Sequence, residues 1–395
     1  MRPHDYLGLP WLSYSVRVGL IGLYATIASM FLYSKNKTRP GRQRLPWAIG
    51  IVIINFLFPC IFHPDVEIVS TAVFGLSLMW LSSLKVLGWA IGRGPLMTAA
   101  LTLPQFVAVA FLPITPVLPH SDRDNNNKNS NGTNGKQSST TEKARKGNAR
   151  QDEKGDTASA AAVDFFFKLF CLALLLTALQ KDLPRLAREV LYAFGLYLFI
   201  AIIMDCVGFI SVLLLNLQVA PHFDRPFLSA SLTDYWSRRW NLNTGYTMRF
   251  LIYDPICERR LIKKVGSEEE EEEEENIFPI SRRRRAVAVC ISFLVSGIFH
   301  EFFIIYLRGR ISGYWLTFFT VQGPLLVFES TGRRWMKLRG VAVPRVLSIP
   351  LTLGILFTLG DLLFFPSVRN NGIAEQVVQN LYGMLVPGSI ASKVE

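Results

Sequence analysis

Apolar residues in this chain fall into long unbroken runs, not into the one-faced or alternating patterns of soluble helices and strands. Runs near 12–33, 46–62, 68–91, 163–180, 189–217, 286–307, 311–330 and 345–365 each read as a membrane helix, since a bilayer core takes about 20 apolar residues to cross. A further piece, 96–118, is interrupted by Pro104, Pro113 and Pro116, with Pro119 just beyond. It reads as a kinked span or a re-entrant hairpin, and the latter requires that protein cover the backbone groups its prolines set free. The pattern predicts an all-α, polytopic integral membrane protein of eight or nine transmembrane or re-entrant helices. The first run has the length of a span and not of a cleavable signal.

The polar stretches between the runs differ in kind. Residues 119–160 are rich in Asn, Ser, Gly, Thr and Lys and nearly lack large apolar side chains, the composition of a disordered loop. The run Glu268–Glu275, followed by Arg282–Arg285, is read as a solvated insertion. The chain therefore divides into N-terminal membrane helices (1–118), a polar loop (119–160) and a second membrane region (161–395) that carries the charged insertion 265–285. Loop 34–45 and stretch 220–285 are strongly basic and should face the cytosol by the positive-inside rule. Lys181, Arg185 and Arg188 then fall on the other face. This orientation makes 96–118 re-entrant and leaves 119–160, with the sequon Asn131-Gly132-Thr133, cytosolic.

Composition narrows the function classes. Of 395 residues, 50% are hydrophobic and 18% charged, and the formal charge is +12. In a membrane protein that surplus marks cytosolic loops and draws anionic ligands and membrane lipids; nucleic acid is not an expected partner. The cysteines Cys60, Cys171, Cys206, Cys257 and Cys290 are odd in number and form no CxxC pair, so neither a disulfide framework nor a metal site is expected.

The densest chemistry is in the run 286–307, where His300 and Glu301 fall at membrane depth. Ionisable groups there are costly and are functional candidates by default. Ser296 and Gly297 share the helical face of His300, and such small residues leave room beside it for a substrate. A neutral imidazole in an apolar slot can take a proton from an alcohol; a structural histidine bonded to a neighbouring helix is the equal alternative. Glu301 is rotated about 100° away and is expected to pair with an arginine of another helix. Lys85, near the end of its span, is expected to snorkel to the cytosolic face.

A second constellation runs from Ser231 to Ile256, too polar to span and too aromatic for a solvated loop. Trp236 and Trp240 share one helical face, with Arg238 and Arg239 directed elsewhere, as in an interfacial helix. Its bland role is a membrane anchor. The sharper one uses Arg238, Arg239 and Arg249 on ligand phosphates and Asn241 as a polar group facing a reacting carbonyl. The sequence lacks GxSxG, P-loop, GxGxxG and HExxH motifs. His120 and Asp124 have an HxxxD spacing but lie at the edge of the low-complexity loop.

Several segments, in order, resemble the plant wax synthase-like branch of the membrane-bound O-acyltransferases: Leu84–Leu96, Leu101–Ile114, Pro226–Ile256 with its Arg-Arg-Trp-Asn core, Ser296–Glu301, and Leu362–Pro366. The resemblance implies that His300 is the catalytic base and Asn241 its polar partner. It also implies that Trp236, Arg238, Arg239, Trp240, Arg249, Ser296 and Gly297 line the substrate site. The implied reaction moves a fatty acyl group from acyl-CoA, a co-substrate, to a long-chain alcohol in the endoplasmic reticulum membrane, with no metal or other cofactor. Sterol and diacylglycerol are the alternative acceptors. Ser237 and Gln322 depart from the family's usual glycine and histidine. A transporter with a His300/Glu301 proton site is the reading from another class, and the chain lacks the internal repeat such folds often show.

Overall fold

A computed structural model describes residues 8–98, 100–117, 162–263, 280–341 and 343–385. The loop 119–160 (with His120, Asp124 and Asn131) and the run Glu268–Glu275 lie outside the described residues.

The apolar runs become helices. They are α1 Tyr14–Ser34, α2 Leu45–Leu57, α3 Ile68–Ala90, α4 Leu103–Phe111, α5 162–178, α6 Arg185–Leu215, α8 Arg282–Arg308, α9 Tyr314–Leu338 and α10 Arg345–Arg369. A short helix α7, Leu242–Met248, lies in the central segment, and an amphipathic helix α11, Ile373–Leu385, follows α10. Five of them, α1, α3, α6, α8 and α10, are long and apolar enough to cross a bilayer. α9 extends past the expected 311–330 to Leu338 and carries Pro324 inside it.

The helix ends sort onto two faces of the bundle, named here for the ends of α8. Gly41 N–H bonds Ala90 O, Lys263 N–H bonds Ile91 O, and Arg284 bonds Cys257 O. Residues 36–44, 90–94 and 257–263 thus share the Arg282 face. On the Arg308 face, Arg17 holds Glu67 at 2.7 Å, Arg308 approaches Asp65 at 3.7 Å, and Arg308 Nε donates to Asn371 O at 2.8 Å. α5 and α6 run antiparallel: Lys168 reaches Asp205 at 2.7 Å, and Gly195 lies against Leu175. The beginning of α5 therefore lies at the Arg282 end of α6.

α4 is a short helix within 96–118. Its nine residues rise about 14 Å, half of a hydrocarbon core of about 30 Å. Beyond it the chain turns extended and pairs antiparallel with 217–220 through Val117 N–H to Gln218 O and Ala220 N–H to Thr115 O, both 2.9 Å. The carbonyls that this exit leaves free are covered by Lys85, whose Nζ donates to Val109 O, Leu112 O and Ile114 O at 2.8 Å each. Lys85 therefore does not snorkel: it is fully buried, and its three N–H donors meet three carbonyls at the C-terminal end of α4, where a cation suits the helix dipole. Arg44, from the basic loop, is likewise clasped and not solvated, reaching Trp89 O at 3.1 Å with its guanidinium over the Trp89 ring.

α8 and α9 form the closest hairpin because glycines let their backbones meet. A Cβ on Gly297 would sit 2.9 Å from Leu316 O, and one on Gly323 would sit 2.8 Å from Cys290 Cα.

Candidate active site

An apolar cavity of about 1200 Å³ lies between α3, α5, α6, the central segment, α8, α9, α10 and α11. Four stretches with wide π-helical turns contribute to its wall: Gly75–Ser82 within α3, Tyr235–Arg239, Arg249–Tyr253 and Gly360–Phe364 within α10. Such turns displace side chains from the regular helical lattice and recur at functional sites. Here they deliver Trp80, Trp236, Arg249, Tyr253 and Phe364 to the cavity.

His300 stands in this wall with its ring fixed on two sides. It stacks on Phe319 (centroids 3.6 Å, 20°) and meets Trp80 edge-on (4.3 Å, 81°), with Trp315 at 5.8 Å. Its Nδ1 lies 2.8 Å from Ser296 O, one helical turn back. A carbonyl only accepts, so the proton sits on Nδ1 and the Nε2 lone pair is left to accept another. Among the described residues no group bonds Nε2.

Asn241 lines the same cavity from the central segment. It holds a left-handed backbone (φ 43°), which asparagine tolerates better than most residues. That twist makes it the N-cap of α7: Oδ1 accepts from Thr244 N–H at 3.3 Å. The cap commits the oxygen and leaves the amide NH2 as the end available to donate. Thr115 ties this segment to the re-entrant piece, donating to Asn243 Oδ1 at 2.6 Å. Trp236 donates through Nε1 to Gln322 Oε1 at 3.1 Å and packs on Phe319 at 5.9 Å, so it is coupled to the ring that stacks on His300. The Gln322 side chain, where the sequence departs from the family pattern, is thus occupied in holding Trp236.

Of the nine residues singled out from the sequence, six line the cavity: Trp236, Trp240, Asn241, Arg249, Ser296 and His300. Three do not. Gly297 faces Leu316 of α9, so its smallness serves helix approach and not substrate room. Arg239 is engaged with Asp234 (2.8 Å) and the Asp224 carbonyl (3.0 Å). Burial would raise the Asp234 carboxyl, but the Arg239 guanidinium and the Ala230 N–H outweigh it and hold the group below its ordinary range. Arg238 is exposed and outside the cavity wall. Arg249 stays largely exposed at the cavity edge, 3.5 Å from Asp254 and over the Tyr253 ring. Among the described residues Glu301 pairs with no arginine: its carboxylate accepts from Ser312 N–H, Gly313 N–H (2.7 Å) and Leu316 N–H (3.3 Å), capping the positive end of α9. Trp80 and Phe319 carry no mark in the sequence. Aromatics are common in membrane runs, and nothing local distinguishes one that touches a histidine on another helix.

An apolar cavity with an imidazole and a primary amide on its wall holds groups of the kinds that can take a proton and donate to an oxyanion. Residues 219–321 match the Membrane bound O-acyl transferase family, an interval that holds both Asn241 and His300. The chain is 29% identical over 302 residues to a long-chain-alcohol O-fatty-acyltransferase of Simmondsia chinensis, covering 75% of this chain and 74% of that one. It is 26% identical over 349 residues to the acyl-CoA–sterol O-acyltransferase 1 of Arabidopsis thaliana (86% of each), and 25% identical over 350 residues to the probable long-chain-alcohol O-fatty-acyltransferase 8 of that plant (87% of each). The fold and site thus define a multi-pass membrane acyltransferase. Over most of its length the chain is similar to these long-chain-alcohol O-fatty-acyltransferases, and its central part matches the membrane bound O-acyl transferase family.

Proposed function

We propose that the protein transfers a fatty acyl group from acyl-CoA to a long-chain alcohol in the endoplasmic reticulum membrane, with His300 and Asn241 as its catalytic residues. The observation that carries this reading is the Nε2 lone pair of His300, held by the Ser296 carbonyl on the opposite ring nitrogen and standing in an apolar cavity. Nε2 takes the hydroxyl proton of the alcohol as its oxygen bonds the thioester carbonyl carbon. The Asn241 amide donates to the oxygen that becomes negative. Collapse breaks the carbon–sulfur bond, and the proton on Nε2 passes to the departing thiolate, giving ester and free CoA. A thioester is already activated, so this route uses acyl-CoA as co-substrate and calls for no metal or other cofactor.

Arg249 is the cavity-edge cation suited to the CoA phosphates, with the exposed Arg238 nearby in sequence. Trp236, Trp240 and Ser296 shape the wall. The two kinds of named relative support a second acceptor, a sterol. The test is membranes from a yeast lacking neutral-lipid synthesis, supplied with acyl-CoA and either fatty alcohol or sterol. New ester is expected with fatty alcohol and not in the His300→Ala variant, whose turnover should fall by about 10²–10⁴-fold. Ester from neither acceptor, or full turnover in the variant, would overturn the reading.

A further inference from the structure

α8 provides a depth scale for the cavity. Val289, Ser292, Ser296, His300, Phe303 and Leu307 form one stripe along it, and all six line the cavity. From Val289 to Leu307 the helix rises about 27 Å, nearly the thickness of a hydrocarbon core. His300 lies about 16 Å from the Arg282 end of that stripe and about 10 Å from the Arg308 end.

The two ends differ in chemistry. The Arg282 end has Arg249 and Tyr253. The Arg308 end is walled by Leu179 just after α5, Leu191 of α6, Val368 of α10 and α11. On α11, Ala374, Val377, Val378 and Leu381 recur at the spacing of one helical face and line the cavity. The other face is tied down. Glu375 accepts from Tyr192 Oη at 3.2 Å, and Gln379 donates to Gln180 Oε1 at 3.4 Å. Gln376 donates to Pro64 O and Asp65 O at 2.8 and 2.7 Å and accepts from Arg308 at 2.8 Å. Contacts to four other parts of the bundle make α11 a fixed floor to the cavity and not a helix lying loosely on the membrane.

We propose that α11 is the floor of the chamber that receives the donor's acyl chain, and that Ala374, Val377, Val378 and Leu381 set the acyl length accepted. The inference rests on the reading that acyl-CoA is the donor. Acyl-CoA is a linear amphiphile whose polar head and apolar tail leave the thioester in opposite directions. With the head at Arg249 and the thioester at His300, the tail points to the Arg308 end and stops against α11. A bulkier floor shortens the chamber; a missing methylene or two in such a pocket changes selectivity by about 10–200-fold.

Two measurements test this. In the first, palmitoyl-CoA carrying a diazirine on its terminal carbon is photolysed with the wild-type protein, and the labelled peptide is identified. Label within 373–381 is expected; label confined to other cavity walls would overturn the assignment. This arm needs no turnover, so labelling of α11 by a protein that forms no ester would sink the transfer reading and leave the floor in place. In the second, Val377→Trp and Ala374→Phe are assayed with dodecanoyl- and octadecanoyl-CoA and then with alcohols of two lengths. The ratio of short- to long-acyl product should rise about tenfold or more, with the alcohol profile unchanged. A shift in the alcohol profile alone would assign the floor to the acceptor, and active variants with neither profile shifted would refute a length-setting role.

Discussion

Lys85→Met deletes an ammonium while keeping the length of the side chain, and it tests the claim that a buried cation holds the re-entrant segment. The wild-type Nζ donates to three carbonyls at 2.8 Å, on Val109, Leu112 and Ile114. Hydrogen bonds from a charged group contribute about 1.5–3 kcal/mol each, so roughly 4.5–9 kcal/mol of interaction is lost. Against this stands the desolvation cost of the ammonium, several kcal/mol, which the methionine does not carry. The net expectation is a destabilisation of about 2–5 kcal/mol, read as a fall of roughly 4–10 °C in the apparent melting midpoint in detergent. The effect should extend to catalysis. Pro113 lines the cavity, and Thr115 holds the segment that carries Asn241 through its bond to Asn243. Turnover should therefore fall more than the KM for acyl-CoA rises. A Lys85→Met protein with an unchanged midpoint and turnover within twofold of wild type would refute the argument, because three buried carbonyls would then have lost their donor without consequence.

Five further outcomes follow from the geometry. Arg249→Ala should raise the KM for acyl-CoA, and the increase should shrink as salt is added, since exposed charges are screened within about 8 Å at physiological ionic strength; Arg239→Ala should instead lower stability by breaking its bonds to Asp234 and Asp224. Glu301→Ala leaves the first N–H groups of α9 uncapped and should cost about 1–3 kcal/mol, measured as a lower melting midpoint. His222 is held down to about 4 by burial, with Lys85 and Lys168 adding to it. The unfolded histidine takes up a proton near 6.5, so stability present above that pH should fall as pH drops toward 4, and His222→Gln should flatten that window in a pH–melting profile. Val117 pairs with Gln218 and α5 begins beside the same end of α6, so both flanks of the 118–161 loop lie on the Arg282 face. With that face cytosolic, Asn131 should carry no glycan, and an endoglycosidase-sensitive mobility shift that vanishes in Asn131→Gln would reverse the orientation.

The sequence by itself determined the elements that depend on local composition. Unbroken apolar runs gave spans whose ends mostly lie within a few residues of the helices, because hydropathy over about 20 residues suffices to define a crossing. The prolines of 96–118 marked it as an interrupted piece, a kinked span or a re-entrant hairpin, for a reason that is also local. His300 stood out because an imidazole at membrane depth is costly wherever it points. What only the tertiary structure decided was where polar groups find partners, since those partners come from other parts of the chain. Arg238, Arg239 and Arg249 look alike in sequence. They separate only when Asp224 and Asp234 engage Arg239 and the Arg249–Tyr253 turn brings Arg249 to the cavity edge. Glu301 meets the start of α9 and no arginine, Gly297 meets Leu316 and no substrate, and Lys85 turns inward to carbonyls of α4 and its exit. α11, too short and polar-faced to register as a span, became legible only once the cavity that it closes was in view. A buried charge must be satisfied somewhere, but hydropathy and local motifs do not name the distant group that satisfies it.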